Sequence, residues 1–219
     1  QMRLGWLRDF AALPQERDIR VSKFYGKRHD ASQVVGYGKV AAIFHMLRDQ
    51  VGTNIFDQAF RLFWMRHKFR AARWSDIQAA FEKSAGRDLT WFFDQWLQRP
   101  GAPKLALGES HLAKKNGQHQ LTFKVSQEQP VYRLTIPVVI ETGNGRVTNR
   151  LKFNGETKEV ILTFNEIPTR LSIDPNFDIF RRLLPSESPP ILRDVTLAAD
   201  AVTLIAAEDE AMQLAAVEL

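Results

Sequence analysis

The sequence predicts an α+β multidomain chain: an antiparallel helical subdomain, then an immunoglobulin-like antiparallel β-sandwich, then a short α/β-like tail. Three observations carry this. Apolar residues recur at helical spacing before Pro100, the period drops to two after Pro103, and a proline-rich stretch from Arg181 separates the strands from a further apolar run. The divisions are residues 1–102, 103–180 and 181–219, the last read as a linker and the start of a truncated further domain.

Four helices are predicted in the first part. In "GYGKVAAIFHMLRDQVG", Val40, Ile43, Phe44, Leu47 and Val51 share one face, and Gly52 stands where a C-terminal cap belongs. Tyr37 falls in the first turn, between Gly36 and Gly38. A phenol there either fills space or presents its hydroxyl to a site. The second helix runs from about Asn54 to His67 with Phe56, Ala59, Phe60 and Phe63 on one face. The third begins in "WSDIQAAFEKSAG", where Ser75 and Gln78 are spaced as a capping box and Gly86 ends the pattern. The fourth, "RDLTWFFDQWLQRPG", aligns Leu89, Phe92, Phe93 and Trp96 and is stopped by Pro100-Gly101. Short connections imply an antiparallel array.

Beyond Pro103, Leu121, Phe123 and Val125 alternate with polar residues, as do Leu134 to Ile140 and Val160 to Phe164, and Leu171 and Ile173 add a last strand. Asn116-Gly117, Gly143-Asn144-Gly145 and Asn154-Gly155 are turn signals between them. Six or seven short strands joined this way predict a sandwich with a core separate from that of the helices. From Val195 the tail reads as a strand and a helix.

Composition narrows the chemistry. The chain has 219 residues, 44% hydrophobic and 25% charged, which describes an ordinary globular protein. A net charge of +5 spread over that length is weak support for a nucleic-acid partner. No cysteine occurs, which excludes disulfides, thiolate metal sites and a cysteine nucleophile but leaves the compartment open between cytoplasmic and exported. The run from Val195 is too short to span a bilayer and contains Asp200. Gln1 before Met2, and a helical pattern at Leu219 that stops without a cap, read as an excised fragment.

No H-E-x-x-H, phosphate-binding loop or G-x-S-x-G element is present, and His29, His45, His67, His111 and His119 lack ligand spacing. No metal ligands are therefore assigned in this chain. "RLFWMRHKFRAARW" interleaves basic and aromatic residues as single-strand nucleic-acid surfaces do, but its apolar spacing reads as an amphipathic helix with Phe60, Phe63 and Trp64 inward, so no nucleic-acid partner is expected.

Taken together, "YGKVAAIFHMLRDQVG" and "FDQAFRLFWMRHKFRAARWSDIQAAFEKSAGRDLTWFFDQWLQRPGAP" resemble the aminopeptidase N family of gluzincin zinc metallopeptidases. The resemblance covers about Tyr25 to Pro103, in the half of the catalytic domain that follows the zinc motif, and includes a closing W-x-x-R-P-G-x-P run from Trp96 to Pro103. The strands after it look like the β-domain that follows in that family. In the family a tyrosine in a Y-x-K-G setting points its hydroxyl at the zinc-bound carbonyl oxygen. Here Tyr37 and Lys39 are kept, with Val40 where glycine is usual and Gly38 where glutamate is common.

The resemblance implies a fragment of a zinc-dependent aminopeptidase that hydrolyses N-terminal peptide bonds. Tyr37 would stabilise the oxyanion, and Gly36 and Gly38 would let a substrate backbone approach. The bland reading of Lys39 is an exposed helix residue. Zinc is expected in the parent protein and none bound to this chain, with peptide substrate reaching Tyr37 through the missing part of the catalytic domain. The alternative is a non-catalytic scaffold or binding module derived from a peptidase fold.

Overall fold

In the computed structural model, which describes residues 2–26 and 32–187, the chain opens on a helix that the sequence did not announce, α1 (Met2–Ala11). Gly5 interrupts its pattern, yet Leu7 and Phe10 are fully buried. A π-helical turn, Val34–Lys39, then runs directly into α2 (Val40–Val51). Gly52, at φ +84°, ends that helix and the chain doubles back into α3 (Thr53–His67).

The start of α4 (Trp74–Ala85) differs in detail from expectation. The cap is built two positions earlier than Ser75 and Gln78 predict: the Arg73 amide donates to the Asp76 carboxylate at 2.8 Å. Gln78 instead donates to Glu82 at 2.9 Å and Thr90 at 3.0 Å. α5 (Thr90–Phe93) continues into a second π-helical turn, Asp94–Gln98, and together these make the predicted fourth helix. Phe56 and Phe60 of α3 meet Phe81 of α4 edge-on. Trp64, expected inward, is 59% exposed and touches Phe69 instead, because it sits a turn beyond that ring cluster.

Six strands follow: β1 (Leu105–Lys115), β2 (Gln118–Gln127), β3 (Leu134–Thr142), β4 (Gly145–Phe153), β5 (Thr157–Phe164) and β6 (Pro168–Ile173). They form two three-stranded antiparallel sheets, ordered β1-β2-β5 and β4-β3-β6. The Asn116-Gly117 turn has positive φ at both residues, as a tight hairpin demands.

The buried residues of helices and strands join into one cluster, from Leu7 through Trp96 to Phe123, Ile136 and Phe180, where separate packed cores were expected. Polar contacts cross the same boundary. Arg150 of β4 pairs with Asp49 of α2, and the buried Gln95 side chain accepts from the Arg133 amide at 2.7 Å while donating to its carbonyl at 3.1 Å. The stretch from Arg181, expected to be linker, is packed at its start: Arg181 is buried between Asp174 at 3.0 Å and Glu187 at 2.8 Å, and the Arg182 guanidinium lies 4.8 Å from the Phe10 ring. The predicted strand and helix from Val195, the α/β-like tail, and His29 lie outside the described residues. Among the described residues no helix is long and apolar enough to cross a membrane.

Candidate functional site

Tyr37 sits in the middle of the π-helical turn and is 55% exposed. Its ring meets Phe24 edge-on, with centroids 5.9 Å apart, and among the described residues its hydroxyl makes no hydrogen bond. A turn wound with one extra residue changes the direction in which its side chains project, and such turns recur at functional sites. The result is a phenol held at the ring and uncommitted at the oxygen.

The flanking glycines have internal uses. A Cβ on Gly36 would lie 2.3 Å from the Phe24 ring, so the bare Cα is what admits the ring that buttresses Tyr37. A Cβ on Gly38 would meet Trp6 of α1 at 3.5 Å, an ordinary contact. Within this chain the space left by Gly36 is occupied by Phe24.

Lys39 corrects the sequence reading. Instead of reaching solvent it is fully buried, with Nζ donating to the carbonyls of Arg99 at 3.1 Å and Gly101 at 2.8 Å. The rings of Phe10 and Phe180 lie 5.8 and 5.7 Å from the ammonium. Burial lowers its pKa to about 8, partly offset by the nearby Asp18 carboxylate. Asp18 accepts from the Gly101 amide through Oδ2, while its Oδ1 is buried without a partner among the described residues. Tyr132, whose pKa burial pushes up to about 12, donates to the Pro100 carbonyl at 3.2 Å. The W-x-x-R-P-G-x-P run therefore lies under the Tyr37 turn, and nothing in its spacing indicates that it and Lys39 meet.

The histidines are dispersed. His45 of α2 lies 2.9 Å from Asp178 and 3.1 Å from an Arg3 nitrogen, at the edge of an open hollow that Trp6, Phe44 and Arg48 also line. His67 stacks on Phe63, and His111 is exposed. Among the described residues no three His, Cys, Asp or Glu side chains are grouped to hold a metal ion. A guanidinium beside His45 is also the wrong neighbour for a cation. Among the described residues the donor set does not fit zinc.

Residues 12–96 match the peptidase family M1 domain. Over 150 residues the chain is 23% identical to the probable aminopeptidase 1 of Sulfurisphaera tokodaii, a match covering 68% of this chain and 18% of that protein. It is 30% identical over 67 residues to aminopeptidase N of Lactococcus lactis, covering 31% of this chain and 8% of that protein. It is also 23% identical over 127 residues to the tricorn protease-interacting factor F2 of Thermoplasma acidophilum, covering 58% and 16%. The crystal structure of Legionella pneumophila aminopeptidase A in complex with aspartic acid superposes with a TM-score of 0.56 at 21% identity, over 78% of this chain and 20% of that one. The chain thus spans a fifth or less of the length of these proteins. The stretch similar to the peptidase family M1 domain, residues 12–96, is the one that carries Tyr37 and the turn it stands on.

Proposed function

We propose that this chain supplies the tyrosine-bearing part of an aminopeptidase active site, in which Tyr37 donates its hydroxyl to the oxygen that becomes negative as an N-terminal peptide bond is hydrolysed. The observation that carries the reading is the exposed Tyr37 hydroxyl, without a partner among the described residues, on a π-helical turn whose ring end is buttressed by Phe24. A fixed donor aimed at a developing oxyanion gains strength in the transition state over the ground state, which is what lowers a barrier. The ring held by Phe24 spares the site the cost of ordering it at the moment of reaction.

The family's zinc, in this reading, is held by residues of a longer protein, and no step here is assigned to it. The immunoglobulin-like sandwich expected of the two sheets serves as the brace behind the Arg99–Gly101 loop. Gly36 and Gly38 contribute through the shape of the turn. A scaffold reading, in which a peptidase fold has lost its chemistry, makes the opposite forecast for the tyrosine. In the full-length protein, Tyr37→Phe keeps the ring and removes one donor, so kcat should fall by about 10² to 10³ with little change in KM or melting temperature. Wild-type turnover in that variant would end the catalytic reading.

A further inference from the structure

Lys39 follows Tyr37 by two residues, at the end of the same π-helical turn. A buried ammonium is costly unless it is paired and hydrogen-bonded, and an apolar side chain of the same size often serves stability as well or better. Its persistence in a core between two phenylalanine rings calls for something that a methylene chain does not provide. Hydrogen bonds provide it, because they have direction. The ammonium reaches two carbonyls one residue apart, those of Arg99 and Gly101, and so fixes the end of the turn in rotation as well as in depth.

The carbonyls it grips are themselves held. Between them, Pro100 accepts from the Tyr132 hydroxyl; Arg99 donates to the Val131 carbonyl at 3.0 Å; Gly101 donates to Asp18. Three consecutive carbonyls are thus captured by side chains from two directions. Lys39 comes from the helical part and Tyr132 from the segment that leads into β3.

We propose that Lys39 is a positioning residue for Tyr37: its ammonium latches the π-helical turn to the Arg99 and Gly101 carbonyls, so that the loop braced by Tyr132 sets where the phenol points. This deepens the proposed function and rests on it, since positioning matters only if the hydroxyl acts. The test reads the tyrosine's placement and not turnover, so either idea can fail alone.

The 219-residue chain contains three tyrosines and no cysteine, which makes the experiment clean. Fluorotyrosine labelling gives one fluorine resonance each for Tyr25, Tyr37 and Tyr132, and Tyr37→Phe assigns the middle one. Lys39→Met keeps the four-atom stem of the side chain and removes the donors. It should fold, with an unchanged far-ultraviolet spectrum, and its Tyr37 resonance should move or broaden by more than a linewidth. Lys39→Cys carries the sole thiol of the chain; alkylated while unfolded and then refolded, it becomes a lysine analogue with an aminoethyl group or a neutral isostere with a propyl group. The aminoethyl form should restore the wild-type Tyr37 resonance and the propyl form should not. Tyr132→Phe should displace the resonance by a smaller amount. A Tyr37 resonance unmoved in folded Lys39→Met, or equal rescue by propyl and aminoethyl groups, would overturn the proposal. So would failure of both Lys39→Met and the propyl form to fold, since the lysine would then hold the core and not the turn in particular.

Discussion

Two glycines one residue apart from the same tyrosine have different reasons to be there, and the difference is measurable. In a helical turn alanine is favoured over glycine by about 0.5 to 1 kcal/mol when space allows. At Gly38 the new methyl would meet Trp6 at ordinary contact distance, so Gly38→Ala should leave stability unchanged or raise it by up to about 1 kcal/mol. At Gly36 it would sit inside the Phe24 ring, which must swing away and release Tyr37. Gly36→Ala should therefore cost about 1 to 3 kcal/mol in urea unfolding; equal effects of the two substitutions would contradict this account. Lys39 has a separate signature in pH. Its folded pKa of about 8 lies below its ordinary 10.5, so between those values the unfolded chain holds the proton that the folded chain has lost. Stability attributable to this group is therefore diminished below about pH 8 and rises with pH up to about 10.5. The difference in unfolding free energy between the native chain and Lys39→Met should shift in favour of the native chain across that window. A pH-independent difference would show that Lys39 titrates normally.

Elements meet across the helix-to-strand boundary through few but specific contacts, and Gln95 is the one most open to test. From the second π-helical turn its amide completes the hydrogen bonding of the Arg133 backbone, where neither sheet supplies a partner strand. Gln95→Ala would bury an unpaired amide and an unpaired carbonyl, each costing about 1 to 3 kcal/mol, so a loss of about 2 kcal/mol or more is expected from thermal or urea melts. A neutral substitution would mean that water replaces the side chain. The sequence showed α2, α3 and α4 because each carries an apolar stripe, and glycine stops two of them, at Gly52 and Gly86. It hid α1, where Gly5 breaks the pattern, and it hid the π-helical turns, because one extra residue in a short turn leaves no distinct period. β2, β3 and β5 were legible from alternation. β1 and β4 were not, since all but the first residue of β1 and all but two of β4 are exposed, so little alternation of burial is imposed on them. Tyr37 could be singled out from its setting, whereas its supports could not. Phe24, Asp18 and the Arg99–Gly101 carbonyls come from far along the chain, and spacing carries no information about such meetings.

At the scale of the whole molecule, the boundary near Pro103 separates kinds of secondary structure while the buried cluster runs through it. The chain after β6 closes that cluster, with Phe180 against Phe10 at 4.7 Å and Arg181 held by the Asp174 carboxylate in the interior. Removing Asp174 leaves the buried Arg181 with only the Glu187 carboxylate and strands the amides of Asp178 and Ile179, so Asp174→Ala should destabilise the chain by about 3 kcal/mol or more. If helices and strands form one cooperative unit, that loss must reach both. Their transitions can be followed separately, because all five tryptophans lie between Trp6 and Trp96, in the helical part, whereas Tyr132 lies beyond the boundary and can carry a fluorine label. Thermal unfolding read by tryptophan fluorescence and by the Tyr132 fluorine resonance should give coincident midpoints in the native chain, and Asp174→Ala should lower both together. Two midpoints, with only one displaced by the substitution, would establish residues 1–102 and 103–180 as independent folding units. Coincidence bears on function as well, since the loop that grips Lys39 is tied to Tyr132: a chain that unfolds as one keeps the tyrosine turn and its brace in register until both are lost.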